Sequence, residues 1–558
     1  MKKQGFLYGS AILVASALIT KVIGALFKIP LANMLGGTGM GYFGCAYGLF
    51  MPIYAISVTG LPTAVAKLTA ENAAHGRLAN VRKIKRIALL LFSMIGVVSG
   101  GLLLALARPF SGYVVETPDA LPSVLLIAPS IFFGCVMAVY RGYYEGLRNM
   151  FPTAVSQVAE ALVKLASGLV LCYFTLELAN DRPQRFLELA GYLQDTQGLR
   201  AEDLALPYAA AAAVLGVTLS SLAGMLFLIL RHKIAGDGIT QEELVKDKTT
   251  DSGRRLVSQL MKILVPVAIG SVVTNLTALI DLGTIVRCLN TSVEKAPEYF
   301  VGMGVPMEDM ATFIYGSFTG LTLTVFNLVP SFTNMFGKGI LPNLTEAWSV
   351  RDQKRIHKSV ESVILVTGLI AIPSGLGITA LSREILEFLF SSRTVEIMAS
   401  WRTLSALGLG VIFLSLTAPV FAMLQAIGRA DLPVKIMLAG VAVKLAGNLL
   451  LIPIPELNIV GAGISTMFSY ALICALAIHW LCKLTHVKLN TKKVFFKPAY
   501  AGILCAGGAL TLYIFLENTL GNHISLVMGI AFGGLIYLIA LVLLGGITKD
   551  EIKSVFRK

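Results

Sequence analysis

The sequence predicts an all-α, polytopic membrane protein with about 14 transmembrane helices, and three observations support that prediction. Of the 558 residues, 56% are hydrophobic and only 14% are charged, whereas soluble domains carry about 25% charged residues. The mean hydropathy is +0.76. The apolar residues also gather in runs of roughly 20 or more, the length at which a helix crosses a bilayer. These features exclude a soluble domain, a disordered chain and a collagen-like repeat.

The first apolar segment follows Lys2 and Lys3 and contains Ala15-Ser16-Ala17, a pattern that occurs in cleaved signal peptides. Its apolar run continues to Leu35, so we expect an uncleaved first helix. Several later segments exceed about 20 residues, which allows them to tilt. The fourteen segments are 6–34, 40–66, 87–107, 121–143, 153–175, 206–230, 256–286, 311–337, 360–381, 401–425, 432–453, 459–482, 497–516 and 523–546. An even number of crossings places both termini on one side of the membrane.

The distribution of basic side chains predicts which side that is. Cytoplasmic loops of membrane proteins carry an excess of lysine and arginine. With the N-terminus inside, most of the 46 basic residues fall on the cytoplasmic side, in loops near 82–86, 246–255, 351–358 and 488–493. We therefore expect both termini in the cytoplasm. The net charge of +14 is interpreted as a topology signal and a contact with anionic lipids, not as nucleic-acid binding.

Short stretches of the chain recur 280 residues further on, while the step is nearer 250 for the first and sixth segments because loop lengths differ. Val163-Lys164-Leu165-Ala166 returns as Val443-Lys444-Leu445-Ala446, and Leu61-Pro62 returns as Leu341-Pro342. Matches in register predict two six-helix lobes that run parallel, related by an axis along the membrane normal, followed by two additional helices. The predicted parts are 1–250 with the first six helices, 251–490 with the next six, and 491–558 with the last two helices and a basic cytoplasmic tail.

Charged side chains lie inside several segments, where each costs about 2.5–3.5 kcal/mol. Lys21 and Lys28 are seven residues apart and share one face of the first helix. Glu160 and Lys164 stand at i and i+4 and can pair, so an ion pair that only positions helices is the alternative for them. Lys444 is the counterpart of Lys164 in the repeat and has no acid four residues before it. Lysines inside apolar segments at such cost indicate a polar ligand.

Polar faces on further segments indicate where such a ligand binds. Asp281 ends a stripe of hydroxyl residues on the seventh segment, with Asn275 beside it, and Asn327 follows a threonine and tyrosine face on the eighth. Polar faces and lysines together predict a hydrated, net positive central cavity between the lobes, which favours an anionic substrate. The predicted substrate-binding residues are Lys21, Lys28, Glu160, Lys164, Asn275, Asp281, Asn327 and Lys444.

Two motifs resemble a known family of membrane proteins. Thr20-Lys21-Val22-Ile23-Gly24 followed by Lys28 resembles the first-helix motif of the multidrug/oligosaccharidyl-lipid/polysaccharide (MOP) exporter superfamily. The stretch from Arg141 to Met150, followed by Glu160, resembles stage V sporulation protein B and related polysaccharide biosynthesis proteins. The resemblance covers the whole chain in topology, and its specific motifs lie mainly in residues 20–165.

The resemblance implies a flippase related to the lipid II flippases. Such a protein moves a polyprenyl-pyrophosphate-linked saccharide, lipid II or a cell-envelope polysaccharide unit, from the inner to the outer leaflet of the bacterial cell membrane by alternating access. It implies a monomer, a cavity for the headgroup, and a groove at the last two helices for the lipid tail. The coupling ion, a proton or sodium, is left open. The chain departs from many relatives by carrying lysine where they carry arginine, and lysine holds phosphate as a point charge.

Two other functions remain as alternatives. A cation-coupled multidrug exporter of the same superfamily shares the topology, but it usually has fewer cations and more carboxylates in its cavity. A membrane-embedded polysaccharide polymerase or ligase needs a nucleophile, an acid–base pair or a metal cluster at one membrane face, and the sequence has no HExxH motif or Walker loop. The seven cysteines include no CxxC pair. We therefore expect no enzyme activity, no cofactor and no metal.

Overall fold

The computed structural model describes residues 6–190, 201–240 and 250–546. Within these ranges the regular structure is entirely helical, without a β-strand. The predicted all-α class is therefore confirmed. Long helices follow directly from the sequence, since apolar runs in a membrane must satisfy every backbone group within the segment itself.

The helices of the N-terminal half begin with a long one and include two short ones. They are α1 (Phe6–Tyr54), α2 (Leu61–Ala74), α3 (Leu78–Pro109), α4 (Leu121–Ile127), α5 (Pro129–Gly146), α6 (Phe151–Asp181), α7 (Pro183–Ala190), α8 (Ala201–Ala235) and α9 (Gly253–Lys295). Those of the C-terminal half are α10 (Met310–Ser317), α11 (Leu323–Phe326), α12 (Leu328–Ser349), α13 (Gln353–Ala380), α14 (Ser382–Leu389), α15 (Thr394–Ala426), α16 (Asp431–Leu451), α17 (Asn458–Thr485), α18 (Lys497–Leu520) and α19 (Asn522–Leu543).

Eleven stretches of the described chain are long and apolar enough to cross a membrane, or twelve if the bent pair Met310–Phe326 and Leu328–Asn334 forms one span. The predicted count of fourteen is not confirmed. The first two predicted segments form one stretch of 63 residues, Ile12–Ala74, although one crossing needs only about 20. Gly36 breaks this stretch with a φ of 63°, a conformation that glycine adopts without steric cost.

The contacts of the described residues divide the chain into two compact units, Met1–Arg287 and Cys288–Lys558. In the first unit, α6 packs along α8 and α1, while α2 and α3 pack on α5. In the second unit, α15 packs on α12, α13 and α17, and α18 packs on α19 and α13. The predicted partition into 1–250, 251–490 and 491–558 stays a prediction.

Gly216→Ala is expected to destabilise the first unit, because the added carbon would lie 2.3 Å from Cα of Gly168 on α6. In open space, a glycine-to-alanine change in a helix gains about 1 kcal/mol, whereas overpacking costs about 1–3 kcal/mol. We expect a lower midpoint of thermal unfolding in detergent. Gly101→Ala on α3 is the matched control, since nothing lies within 4 Å of its added carbon. Equal midpoints for the two variants would contradict the close packing of α6 and α8.

Candidate functional site

The first unit brings α1 and α6 together along the faces that carry the predicted lysines. Ser16 Oγ on α1 donates a hydrogen bond to Gln157 Oε1 on α6 at 3.2 Å. Further along, the ring of Phe27 lies so close to Gly168 that a Cβ there would stand 2.7 Å from the ring. The absence of a side chain at Gly168 thus lets the two helices approach at the level of Lys28 and Lys164.

Three ammonium groups gather on these two helices. Lys164 Nζ lies 5.1 Å from the ring centroid of Phe27, a distance at which the ring face attracts a cation. Lys28 and Lys164 repel one another electrostatically, and Lys21 acts on Lys164 in the same way. Lys21 is exposed, whereas Lys28 and Lys164 are half-buried. We call Lys21, Lys28 and Lys164 the lysine cluster.

The carboxylate of Glu160 pairs with an arginine rather than with Lys164. Arg141 Nη2 on α5 donates to Glu160 Oε2 at 2.9 Å, and the side chains are 14% and 26% exposed. Arg141 Nε donates to Ser156 Oγ at 3.0 Å, and Ser221 Oγ on α8 lies 3.5 Å from Glu160 Oε1. The guanidinium is thus the hydrogen-bonded partner of the carboxylate, and Glu160 also attracts Lys164 electrostatically.

Arg141 is a functional candidate that the sequence reasoning missed. It lies within the predicted fourth segment, 121–143, and within the motif that resembles the polysaccharide biosynthesis proteins, yet it was not counted among the charges inside spans. Its position in an apolar run was the available signal, since an intramembrane ion needs a partner.

Lys444 lies on α16 in the second unit and is buried, with 5% of its surface exposed. Gly440 and Asn448, one turn before and one turn after Lys444 on the same helix face, both contact α17. Ser469 Oγ donates to the carbonyl of Gly440 at 2.8 Å, and Ser465 Oγ donates to Asn448 Oδ1. Lys444 therefore faces α17 within its own unit.

The remaining predicted residues are dispersed along the chain. Asp281 is half-buried on α9 in the first unit and takes part in polar interactions. Asn327 is exposed at the 42° bend between α11 and α12, and its Nδ2 donates to the carbonyl of Leu323 at 2.8 Å. The side chain of Asn275 lies outside the described residues. The structure thus brings Lys21, Lys28, Glu160 and Lys164 together, while Asn327 and Lys444 belong to the other unit.

The part of the chain that the structure describes contains no group of three or more histidine, cysteine, aspartate or glutamate side chains able to hold a metal ion. The charged side chains described above on the apolar helices of the first unit are mostly cationic: Lys21, Lys28, Lys164 and Arg141. An apolar setting strengthens the attraction of such groups for an anion, because the local dielectric is low.

Two protein-family models match separate parts of the chain. The model described as "Polysaccharide biosynthesis protein" matches residues 6–180, and the model described as "Lipid II flippase MurJ" matches residues 309–488. Stage V sporulation protein B of Bacillus subtilis (strain 168) is 23% identical, covering 100% of this chain and 98% of that protein. Lipid II flippase MurJ of the same organism is also 23% identical, covering 99% and 98%.

Solved structures with the same fold include flippases and drug transporters. Lipid II flippase MurJ in an inward closed conformation matches with a TM-score of 0.65 at 14% identity, covering 96% of this chain and 98% of that one. An inward-facing multidrug resistance MATE family transporter of the MOP superfamily matches with a TM-score of 0.61 at 11% identity, covering 86% and 98%.

The chain therefore shares the fold of these multi-pass membrane proteins, a lipid II flippase and a MATE transporter of the MOP superfamily. In sequence it is similar to the polysaccharide biosynthesis proteins and to the lipid II flippase MurJ. The resemblance predicted from the motifs around Lys21 and Arg141 is therefore confirmed. Among these relatives, MurJ is a lipid II flippase and the MATE protein is a multidrug resistance transporter.

Proposed function

We propose that this chain is a flippase that moves a polyprenyl-pyrophosphate-linked saccharide from the inner to the outer leaflet of the bacterial cell membrane. Lipid II, the lipid named for a full-length relative, is the first substrate to test. The lysine cluster is the observation that carries this proposal. Each ammonium in an apolar span costs about 2.5–3.5 kcal/mol, and a phosphorylated headgroup offsets that cost by pairing with it.

The charge of the cluster favours this substrate over a cationic drug. Lys21, Lys28, Lys164 and Arg141 carry four positive charges around the carboxylate of Glu160, so this group of side chains has a net positive charge. A cationic drug would be repelled there, whereas a pyrophosphate is attracted. A multidrug exporter shares the fold, so the distinction between the two functions rests on this electrostatic difference.

In the proposed mechanism the protein binds the headgroup and changes conformation, and it makes or breaks no covalent bond. The headgroup enters from the inner leaflet, and the ammonium groups of Lys21, Lys28 and Lys164 bind its phosphates as point charges. Rearrangement of the lobes then exposes the headgroup outside, as in other transporters built from repeats. Asn275, Asp281, Asn327 and Lys444 are proposed to line the path of the headgroup.

The proposal also includes the topology of the protein in the membrane, its oligomeric state and the driving force for transport. Both termini lie in the cytoplasm, the basic loops contact anionic lipids, and the protein acts as a monomer. Either a proton or sodium gradient or the membrane potential supplies the driving force, since one charge that crosses 100 mV gains about 2.3 kcal/mol.

Purified protein in proteoliposomes provides the direct test. A fluorescent polyprenyl-pyrophosphate saccharide is placed in the vesicles, and its exposure is followed with a quencher that does not cross the membrane. We expect protein-dependent exposure of this lipid and none of an analogue with a neutral headgroup. Equal movement of both lipids, or extrusion of cationic dyes with no lipid movement, would overturn the proposal. Rescue of cells depleted of their lipid II flippase then tests the lipid II assignment.

A further inference from the structure

A histidine near the end of α8 connects three helices of the first unit. His232 Nε2 is hydrogen-bonded to Lys85 Nζ on α3, and His232 Nδ1 lies 2.9 Å from Tyr144 Oη on α5. The rings of Tyr140, Tyr143 and Tyr144 surround the imidazole, with centroids 5.5, 6.2 and 6.0 Å away. The imidazole therefore holds the ends of α3, α5 and α8 together.

A neutral histidine with its proton on Nδ1 satisfies the hydrogen bonds of this imidazole. The Tyr144 hydroxyl donates its hydrogen to the carbonyl of Gly236 at 3.1 Å. A hydroxyl has one hydrogen, so His232 Nδ1 carries a proton and donates it to Tyr144 Oη. Nε2 then accepts from the ammonium of Lys85, which requires it to be unprotonated. A second proton, on Nε2, would remove the acceptor that the Lys85 ammonium uses.

The other charged groups packed against His232 are of two kinds. The cations raise the free energy of protonating the imidazole, and the facing acid already accepts several hydrogen bonds. Arg231 lies 4.8 Å from the ring centroid of Tyr144, and Arg82 and Lys85 approach from α3. Asp237, the facing acid, accepts from Arg82 Nε and Nη2 at 3.3 Å, from Tyr143 Oη at 2.9 Å and from the Ile239 amide at 3.1 Å.

Asp237 does not titrate in the pH range where histidine does. Burial favours the neutral acid, but the hydrogen bonds from Arg82, Ile239 and Tyr143 outweigh it and hold the pKa of Asp237 below its usual value. Its carboxylate therefore stays ionised down to strongly acidic pH, and the link from Arg82 to Asp237 persists. Among the side chains of this contact, histidine is the one whose ordinary pKa lies between about pH 5 and 8.

We propose that the His232 cluster, formed by Lys85, Tyr140, Tyr143, Tyr144 and His232, is a pH-operated latch between α3 and α8. At neutral pH the latch is closed by the bond from Lys85 to His232. A proton on Nε2 removes the acceptor and sets an imidazolium against an ammonium, so α3 and α8 lose their contact at Lys85 and His232 while the pair of Arg82 and Asp237 remains. Under the proposed topology this end faces the cytoplasm, and cytoplasmic acidification opens the latch. The inference stands on the geometry of the first unit and does not depend on the substrate.

Hydrogen–deuterium exchange of the full chain in detergent tests the latch. Exchange is compared at about pH 7.5 and about pH 5.5 after correction for intrinsic rates, and we expect peptides covering 78–90 and 228–239 to exchange about tenfold faster at the lower pH. His232→Gln keeps an acceptor for Lys85 but cannot be protonated in this range, so its exchange should not depend on pH.

His357→Gln is the matched control. His357 lies near the start of α13, is half-buried and pairs with Glu361 at 3.3 Å. Its replacement should leave the response of 78–90 and 228–239 as in the wild type. Two outcomes would overturn the proposal: unchanged protection of the wild type between the two pH values, or a full pH response that survives in His232→Gln. The wild-type comparison decides the matter even if His232→Gln folds poorly.

Discussion

Replacement of Lys28 and Lys164 together by alanine is expected to reduce flipping of a pyrophosphate-linked lipid by about 100-fold or more. Each charge-assisted hydrogen bond to phosphate contributes about 1.5–3 kcal/mol, and 1.4 kcal/mol corresponds to a tenfold effect. Both side chains are half-buried on adjoining helices, so water cannot fully replace them as partners of the headgroup. The measurement is the initial rate of headgroup exposure in proteoliposomes.

Two further variants show whether charge is the cause. Lys28→Arg with Lys164→Arg keeps both positive charges and should retain most of the rate. Lys435→Ala removes a lysine whose side chain is 70% exposed and pairs with Asp431 at 3.2 Å, and its rate should match the wild type. If the double alanine variant folds normally and flips the lipid at the wild-type rate, the lysine cluster has no part in transport.

Arg141→Ala is expected to destabilise the first unit by about 2–3 kcal/mol, somewhat less than the 3–5 kcal/mol measured when fully buried pairs are broken. The change leaves the Glu160 carboxylate, 26% exposed, without its guanidinium partner at 2.9 Å. It also removes the bond from Arg141 Nε to Ser156 Oγ. Unfolding in denaturant, monitored in detergent, measures the loss.

The double variant Arg141→Ala with Glu160→Gln distinguishes an orphaned charge from lost packing. Removal of both charges should recover more than half of the stability that Arg141→Ala loses, because an uncompensated buried carboxylate accounts for most of the cost. A double variant as unstable as Arg141→Ala would show that the guanidinium acts through packing, and the ion pair would lose its assigned importance.

The fold class was predictable because it depends on composition and run length, which any stretch of the chain displays by itself. The number of spans was less predictable, since it depends on where a continuous helix breaks. Nothing in the composition of 6–66 distinguishes Gly36 from its neighbour Gly37, yet only Gly36 adopts the left-handed conformation that divides α1.

The candidate site was predictable in its residue types and only partly in its pairings. Spacing within one helix suggested Lys164 as the partner of Glu160, because the i,i+4 rule applies only to side chains on the same helix. The partner is Arg141, 19 positions away on α5. The bond between Lys85 and His232 joins residues 147 positions apart, and no local pattern relates them. Tertiary partners of this kind come from packing, which one sequence does not display.

The near-contact of Gly168 and Gly216 has a mechanical consequence. A Cβ at Gly216 would stand 2.3 Å from Gly168 Cα, so no side chain separates the two backbones at this point. We therefore expect α6 and α8 to move together as a rigid pair. Lys164 lies on α6 and His232 lies on α8. Under the two proposals, a tilt of α8 that follows protonation of His232 would therefore displace Lys164 and change its contact with the headgroup.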